Sequence, residues 1–503
     1  MFAWSDLLAG FGAAVTPENL LWAFVGAMLG TFVGVLPGVG PTPAIAMLLP
    51  ITSYLAPTPA IIMLAGIYYG SQYGGSTTSI LLNMPGEISS VPTCLDGYQL
   101  AKKGRAGPAL AIAAISSFVA GTLSLVGLTF FAPPLAEVAL MFQPAEYVGL
   151  MVLALAVVVN LSGKSLTKGL ISGGFGLLFT AMGMDSITGE QRLTFGNLEL
   201  MNGVNFVMAA IGLFAISEIL MGIEEELGHV SAMKIGKLMP TLRELKDNSG
   251  TMVRATFLGF ALGLLPGVSP AVTAFIAYDT EKRVSKHPER FGTGELQGVA
   301  APEGANNATT SGGFVPLFAF GIPSSSALAM LLGALMIYGM QPGPIMWQQD
   351  PKFIWTVIAS MYVGNAMLLV LNLPLVGIWA KVCEIPYSIL SPTVLIFCAI
   401  GAFSVRENLF DLWMALVFGF IGYAMKKLEY PAAPMLLCMI LGDRLESSLR
   451  QSLVLSGGSY GVFFTRPMTA GLLLLAVVLT AASLVARRRA APGTVLAEGD
   501  PNY

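Results

Sequence analysis

From Pro108 to Pro133 the chain carries no charged residue, and the same holds from Phe353 to Ala380 and from Pro467 to Ala486. A helix needs about 17–25 apolar residues to cross ~30 Å of hydrocarbon, and these runs meet that length. Tyr147–Leu161 is a shorter run of the same kind, and Val204–Gly222 is interrupted only by Glu218. Charged residues make up 11% of the 503 positions and hydrophobic ones 55%. Soluble domains carry about 25% charged residues, so this chain has too few to cover a water-facing surface. The reading is an all-α polytopic membrane protein with about 10–12 membrane segments.

Composition also removes several classes. A net charge of −3 supplies no basic field for nucleic acid. His229 and His287 lie in polar loops, and Cys94, Cys383, Cys398 and Cys438 are scattered, which argues against a disulfide framework or a thiolate metal site. The first residues lack the positive region of a cleavable signal. The longest polar stretch, Glu224–Gly250, reads as a loop, and the residues after Arg487–Arg489 read as a polar tail. "SGKS" (Ser162–Ser165) lacks the first glycine of a phosphate loop, with Val158 in its place. "GGSYG" (Gly457–Gly461) has no preceding strand and no membrane histidine to act as base, so an intramembrane enzyme is a weak alternative.

Two apolar runs are broken in the same way. "GTFVGVLPGVGPTP" (Gly30–Pro43) and "GFALGLLPGVSP" (Gly259–Pro270) share their glycines and a Leu-Pro-Gly-Val core. Downstream, Thr77-Thr78-Ser79 aligns with Thr309-Thr310-Ser311, and, after about six inserted residues, Met84-Pro85 with Ile322-Pro323. Gly107-Pro108 then meets Gly343-Pro344, and "FGLLFTAM" (Phe175–Met182) meets "FGFIGYAM" (Phe418–Met425). Loop charges alternate between the copies. "ITSYLAPTP" is uncharged where the second copy has "YDTEKRVSKHPER"; Lys102, Lys103 and Arg105 face the uncharged "YGMQPGP"; and Asp185 faces Lys426-Lys427. Basic loops stay cytoplasmic, so the pattern predicts two inverted-topology repeats. The expected division is a first repeat over 1–222, a cytoplasmic linker over 223–251, a second repeat over 252–450, a C-terminal membrane segment over 451–486 and a cytoplasmic tail over 487–503. Each broken segment is expected to be a re-entrant hairpin, one entering from each face, with the tips meeting inside the protein.

Broken helices at membrane depth expose N–H groups at one end and carbonyls at the other. The first favour anions and the second cations. No Lys or Arg is expected inside the core segments, so an anion would be held by dipoles, hydroxyls and amides. The candidate substrate residues are Pro37, Gly38, Val39, Ser76, Thr77, Thr78, Ser79 and Asn83, with Pro266, Gly267, Val268, Asn307, Thr309, Thr310 and Ser311. Gly38, Gly267, Asn306, Asn307 and Glu303 are the candidates for a coupling cation, Glu303 being the acid embedded between the motifs of the second half. The plainer readings are that glycines and small residues pack membrane helices closely, and that Ser and Thr bond carbonyls one turn back. Glu87 and Asp96 read as solvated, and Glu218 as interfacial.

The combination "GVLPGVGPTPAIAMLLP", "YYGSQYGGSTTSILLNMPGE", "DGYQLAKKGRAGPAL", "LGLLPGVSP", "APEGANNATTSGGFVPLFAFGIPSS", "GDRLESSLRQSL" and "FFTRPMTAGLL" resembles the large membrane subunit of tripartite tricarboxylate transporters, the TctA type. It spans nearly the whole chain. The resemblance implies a secondary transporter of the bacterial inner membrane, with a cytoplasmic C-terminus, using a Na+ or H+ gradient and no further cofactor. It also implies a small four-helix membrane subunit and a periplasmic solute-binding protein that delivers citrate or another carboxylate. A stand-alone carboxylate symporter or a channel would share the sequence features.

Overall fold

Proline sits at the start of many of the helices, where its missing N–H costs nothing and its fixed φ suits the first turn. The structure is a computed structural model that describes residues 4–36, 40–52, 54–161, 165–185, 188–224, 233–265, 267–385 and 387–489. Its first half runs α1 (Trp4–Ala14), α2 (Pro17–Val35), α3 (Pro41–Thr52), α4 (Pro57–Leu82), a short turn at Ile88–Ser90, α5 (Val91–Lys102), α6 (Ala106–Ala139), α7 (Pro144–Leu161) and α8 (Leu166–Thr180). A two-residue hairpin, Gly183–Met184 with Gln191–Arg192, precedes α9 (Phe206–Ala210), which passes through a π-turn into α10 (Ser217–Glu224).

The second half runs α11 (Leu242–Gly263), α12 (Pro270–Val284), α13 (Gln297–Gly312), α14 (Phe314–Phe320), α15 (Ser326–Ile337), α16 (Pro344–Gln349) and α17 (Pro351–Asn372). It continues as α18 (Val376–Val382), α19 (Tyr387–Ser404), α20 (Leu409–Lys427), α21 (Ala432–Leu455), α22 (Val462–Thr465) and α23 (Pro467–Arg489). Among the described residues five helices are long and apolar enough to cross a membrane, and five more are apolar but shorter. The outer faces of α6, α8, α20 and α23 expose Phe130, Phe131, Leu170, Phe175, Trp413, Phe420, Leu474 and Val477. Water would penalise such a surface and hydrocarbon would not.

Boundaries recur between the halves. Helices α7 and α19 begin and end 243 residues apart, and α8 and α20 begin at the same offset. The interior is organised by α4 and α13, both buried along most of their length. Helix α2 packs on α4, and α11 packs on α13. The packing is backbone on backbone: a Cβ on Gly34 would lie 2.2 Å from Ser71 O, and one on Gly263 would lie 2.7 Å from Thr309 O. Gly30 against Ile67 and Gly259 against Ala305 repeat the contact one turn earlier. These glycines of the repeated motif serve close helix packing.

One expectation fails in the linker. The stretch read as a loop to Gly250 contains the first turns of α11, started by a capping box in which Thr241 N–H donates to Glu244 Oε2 at 2.8 Å and Glu244 N–H donates to Thr241 Oγ1 at 3.3 Å. The signal Thr-x-x-Glu was legible, but the charges around it outweighed it. The basic loops gather at one end of the molecule: Arg105 pairs with Glu244, Lys103 Nζ donates to Thr293 O at 2.5 Å, and Gly107 N–H donates to Ile235 O at 2.9 Å. Glu218 is partly exposed and paired with Lys426.

Candidate functional site

Helix α4 stops because Asn83 adopts a left-handed conformation (φ 58°), and α14 stops at Gly321 in the same way (φ 72°). In each case the next N–H turns back to the carbonyl six residues earlier, Met84 to Thr78 O and Ile322 to Pro316 O. This bond reaches one residue further back than a Schellman ending does, and it too satisfies part of the frayed backbone. The chain then restarts through extended residues with near-identical angles, Glu87 (φ −147°, ψ 165°) and Ser325 (φ −143°, ψ 166°). The two breaks lie at an offset of 238.

The halves bond to each other at these restarts. Tyr68 Oη and Ser325 Oγ lie 3.1 Å apart, and Asn306 Nδ2 donates to Glu87 Oε1 at 3.3 Å. Tyr68 and Asn306 are themselves 238 apart, as are Glu87 and Ser325. The same geometry therefore occurs twice, with neutral chemistry once and a carboxylate once. Near the first tip, Thr42 Oγ1 and Ser326 Oγ lie 2.9 Å apart.

This offset corrects the alignment of the Thr-Thr-Ser clusters. The glycine contacts pair Thr309 with Ser71, so Thr77–Ser79 sit about one and two-thirds turns closer to their break than Thr309–Ser311 do to theirs. Packing sets this register, whereas the matched triplets do not. Most cluster hydroxyls are used locally: Ser76 donates to Tyr73 O, Thr78 and Ser79 to Gly75 O, Thr310 to Asn306 O, and Thr309 to Ala305 O and Gly259 O. The hydroxyls of Thr77 and Ser311 carry no hydrogen bond to protein among the described residues. Asn307 Nδ2 donates to Ser117 Oγ at 2.8 Å and to Glu303 O, which ties α13 to α6.

Of the tip residues, Pro37, Gly38, Val39 and Pro266 lie outside the described residues. Gly267 (φ 84°) packs against the Val158 backbone of α7, and Val268 is buried.

Two acids read as solvated are buried. Glu87 is 8% exposed, because α12 and α13 of the other half cover the turn that carries it. Asp96 is fully buried and accepts N–H bonds from Gly292, Gly294 and Glu295 and a hydroxyl bond from Tyr278 at 2.8 Å. Glu303 is 1% exposed and accepts from Thr93 Oγ1 at 2.6 Å. The Ser89 hydroxyl lies at hydrogen-bonding distance from both Gln72 Oε1 and the Glu87 carboxylate. Gln72, Ser89 and Thr93 were missed, although the polar run "GSQYGGSTTS" within an apolar helix was a signal for the first.

The expectation of no Lys or Arg inside the core segments also fails. Arg254 enters α11 and pairs with the buried Glu281 at 2.5 Å. Arg444 lies beside the second break, where its Nη1 would be 2.8 Å from a Cβ on Gly321. It has no ion pair or hydrogen bond among the described residues. A polar recess of about 460 Å³, lined by Lys103, Arg105, Glu244 and Arg290 among others, lies where the basic loops gather.

Fold and site together define a multi-pass α-helical membrane protein whose polar chemistry is carried at two helix breaks in its interior. Residues 20–437 match the tripartite tricarboxylate transporter TctA family, and the chain belongs to that family. It is thus a subunit of a transporter whose name implies further subunits. A protein of Agrobacterium vitis described as an uncharacterized 52.8 kDa protein in the TAR-I ttuC′ 3′ region is 45% identical over 497 residues, covering 99% of each chain. A second from the same organism, an uncharacterized protein in the TAR-II ttuC′ 3′ region, is 40% identical over 242 residues, 48% of this chain and all of that one. No solved structure matches.

Proposed function

We propose that this chain is the permease subunit of a binding-protein-dependent secondary transporter that imports citrate or another carboxylate by alternating access, driven by a Na+ or H+ gradient. The single observation that carries the reading is the pair of breaks cross-bonded between the halves, Tyr68 with Ser325 and Asn306 with Glu87. Each break exposes backbone at depth only where protein covers it, as expected of a transport site. The recurring boundaries and the alternating loop charges support two inverted repeats, the second of which begins with α11. The substrate carboxylates are assigned to Thr77 and Ser311, whose hydroxyls are unengaged, and to the fixed charge of Arg444. A guanidinium matches a carboxylate in two parallel bonds. Coupling is assigned to Glu303, Asn306 and Asn307, and delivery to a periplasmic binding protein with a small four-helix membrane partner. The protein is placed in the bacterial inner membrane with its C-terminus in the cytoplasm.

The test is uptake of labelled citrate and of other di- and tricarboxylates into proteoliposomes, with and without an imposed gradient and the two partners. Saturable uptake that needs a gradient and the binding protein supports the proposal. Uptake without the binding protein makes the chain a stand-alone symporter, and unsaturable flux makes it a channel. Uptake indifferent to every gradient and to Ser311→Ala refutes coupled transport.

A further inference from the structure

Two of the buried carboxylates, Glu87 and Glu303, stand out because neither has a Lys, Arg or His partner among the described residues. The other deeply buried acids are compensated: Glu281 by Arg254, Asp411 by Arg406, Glu146 by Arg466, and Asp96 by three backbone N–H groups. An ionised carboxylate in a low-dielectric interior is costly unless positive charge is brought to it.

The hydrogen bonds around the pair show what is missing. Thr93 donates to Glu303 Oε1, and Ser89 and Asn306 Nδ2 donate to Glu87 Oε1. Two buried atoms of these residues have no partner among the described residues, Glu303 Oε2 and Asn306 Oδ1, and both are acceptors. They belong to residues three apart on α13, hence on one face of that helix, and the same Asn306 amide reaches Glu87 in the other half. A cluster whose buried unpartnered side-chain atoms are oxygens has the chemistry of a hard-cation site.

We propose that Glu87, Glu303 and Asn306 form a sodium site that spans the two halves. Asn306 orients the site by holding Glu87 through its nitrogen while offering its oxygen to the ion. Glu303 supplies Oε2, and Thr93 fixes that carboxylate through its other oxygen. The site rests on the transport reading above for the choice of sodium among hard cations. Its consequence is mechanical: the bound ion draws the restart of the first break onto α13 of the second half, so the cross-half contact, a single amide-to-carboxylate bond without sodium, is tighter with it. A proton on Glu303 would not do the same, because it would satisfy one acceptor where an ion satisfies several.

The test is sodium binding to the purified full-length chain in nanodiscs with no carboxylate present. Melting temperature is titrated with NaCl against choline chloride at constant ionic strength, at neutral and at acidic pH, and binding heat is measured in parallel. A saturable rise with sodium is expected. Glu303→Gln and Asn306→Ala should weaken it by more than about tenfold, beyond the lower end of the loss caused by outer-shell changes in metal sites. Glu87→Gln should weaken it too. If these variants unfold, Thr93→Val, which frees Glu303 Oε1 and leaves every ligand in place, should still shift the midpoint. A sodium response unchanged in Glu87→Gln and Glu303→Gln overturns the site, and so does stabilisation that follows pH alone. Loss of carboxylate uptake with sodium binding intact would refute the transport reading and leave the site standing; the reverse result would refute the site alone.

Discussion

Alanine at Gly34 tests whether the repeated glycines hold the hairpin arms against the central helices. The added Cβ would sit 2.2 Å from Ser71 O, against 3.4 Å for ordinary contact, so α2 must retreat by about 1.2 Å from α4. Neither neighbour can give way by a rotamer change, because the clash is with backbone. Gly263→Ala meets Thr309 O at 2.7 Å and needs a retreat of about 0.7 Å from α13. Overpacking of this kind costs about 1–3 kcal/mol, with larger values for larger shifts. Alanine offsets at most ~1 kcal/mol of this through its better helix propensity. The expected order of stability is therefore wild type, then Gly263→Ala, then Gly34→Ala, with the last about 2 kcal/mol below the first. Gly471→Ala is the control, since nothing lies within 4 Å of its added Cβ. The assay is the half-denaturation temperature of the purified protein in detergent, alongside uptake in proteoliposomes. Uptake by Gly34→Ala should fall further than stability alone dictates, because Gly34 O also abuts Gly86 at the first break. Equal melting of Gly34→Ala and Gly471→Ala would refute the packing argument and the 238-residue register with it.

Other perturbations have equally definite outcomes. Arg444→Gln should raise the KM for carboxylate by about tenfold or more with little change in kcat, the scale of a lost charge-assisted hydrogen bond, and Arg444→Lys should restore it only in part; an unchanged KM removes Arg444 from the substrate site. Asp96→Asn leaves one oxygen to meet three backbone N–H groups and the Tyr278 hydroxyl, and should cost about 3 kcal/mol or more. Its signature is faster proteolysis of the loop at residues 285–296, and a wild-type cleavage pattern would contradict the role. Partial burial works against ionisation of Glu244, but bonds from Thr241 N–H, the Thr241 hydroxyl and Arg105 outweigh it and hold the carboxyl below its usual value. The folded pKa is thus depressed: its stabilisation is complete above about pH 4.3 and fades as the pH falls through the folded value. Glu244→Gln should flatten this acid-side loss of melting temperature, and an identical acid profile would show that the capping box contributes nothing there.

The membrane class and the packing glycines were legible because hydrocarbon and close helix contact impose rules on short stretches of sequence. A charge-free run must cross or be covered, and a glycine every four residues marks a face where backbones touch. The capping box at Thr241 was legible on the same local terms. Burial was not. Glu87 lies in "PGEISS", whose neighbours are no more apolar than those of a surface turn, and it is covered by helices that begin at Pro270 and Gln297. Asp96 meets its partners almost 200 residues away. Arg444 sits in "GDRLESSLR", which reads as a polar exit from the membrane, and only the packing of α21 brings it to Gly321.

The register of the two halves shows why identity was a poor guide to the site itself. Thr77-Thr78-Ser79 and Thr309-Thr310-Ser311 are identical, yet the packing does not superpose them. The residues that do occupy matching places differ: Tyr68 with Asn306, and Ser325 with Glu87. Glycine rows recur because a missing side chain is needed wherever two backbones touch, so both halves keep them. Side chains at the breaks are under no such shared demand. The backbone geometry is repeated while the charge is not: one cross-half contact is hydroxyl to hydroxyl, the other amide to carboxylate. A cation would therefore tighten one contact and leave the other unchanged. Exchanging the chemistry tests this directly: Ser325→Glu with Glu87→Ser should move the sodium response, if any survives, away from Glu303, whereas an unaltered response would mean that the asymmetry of the two contacts has no part in coupling.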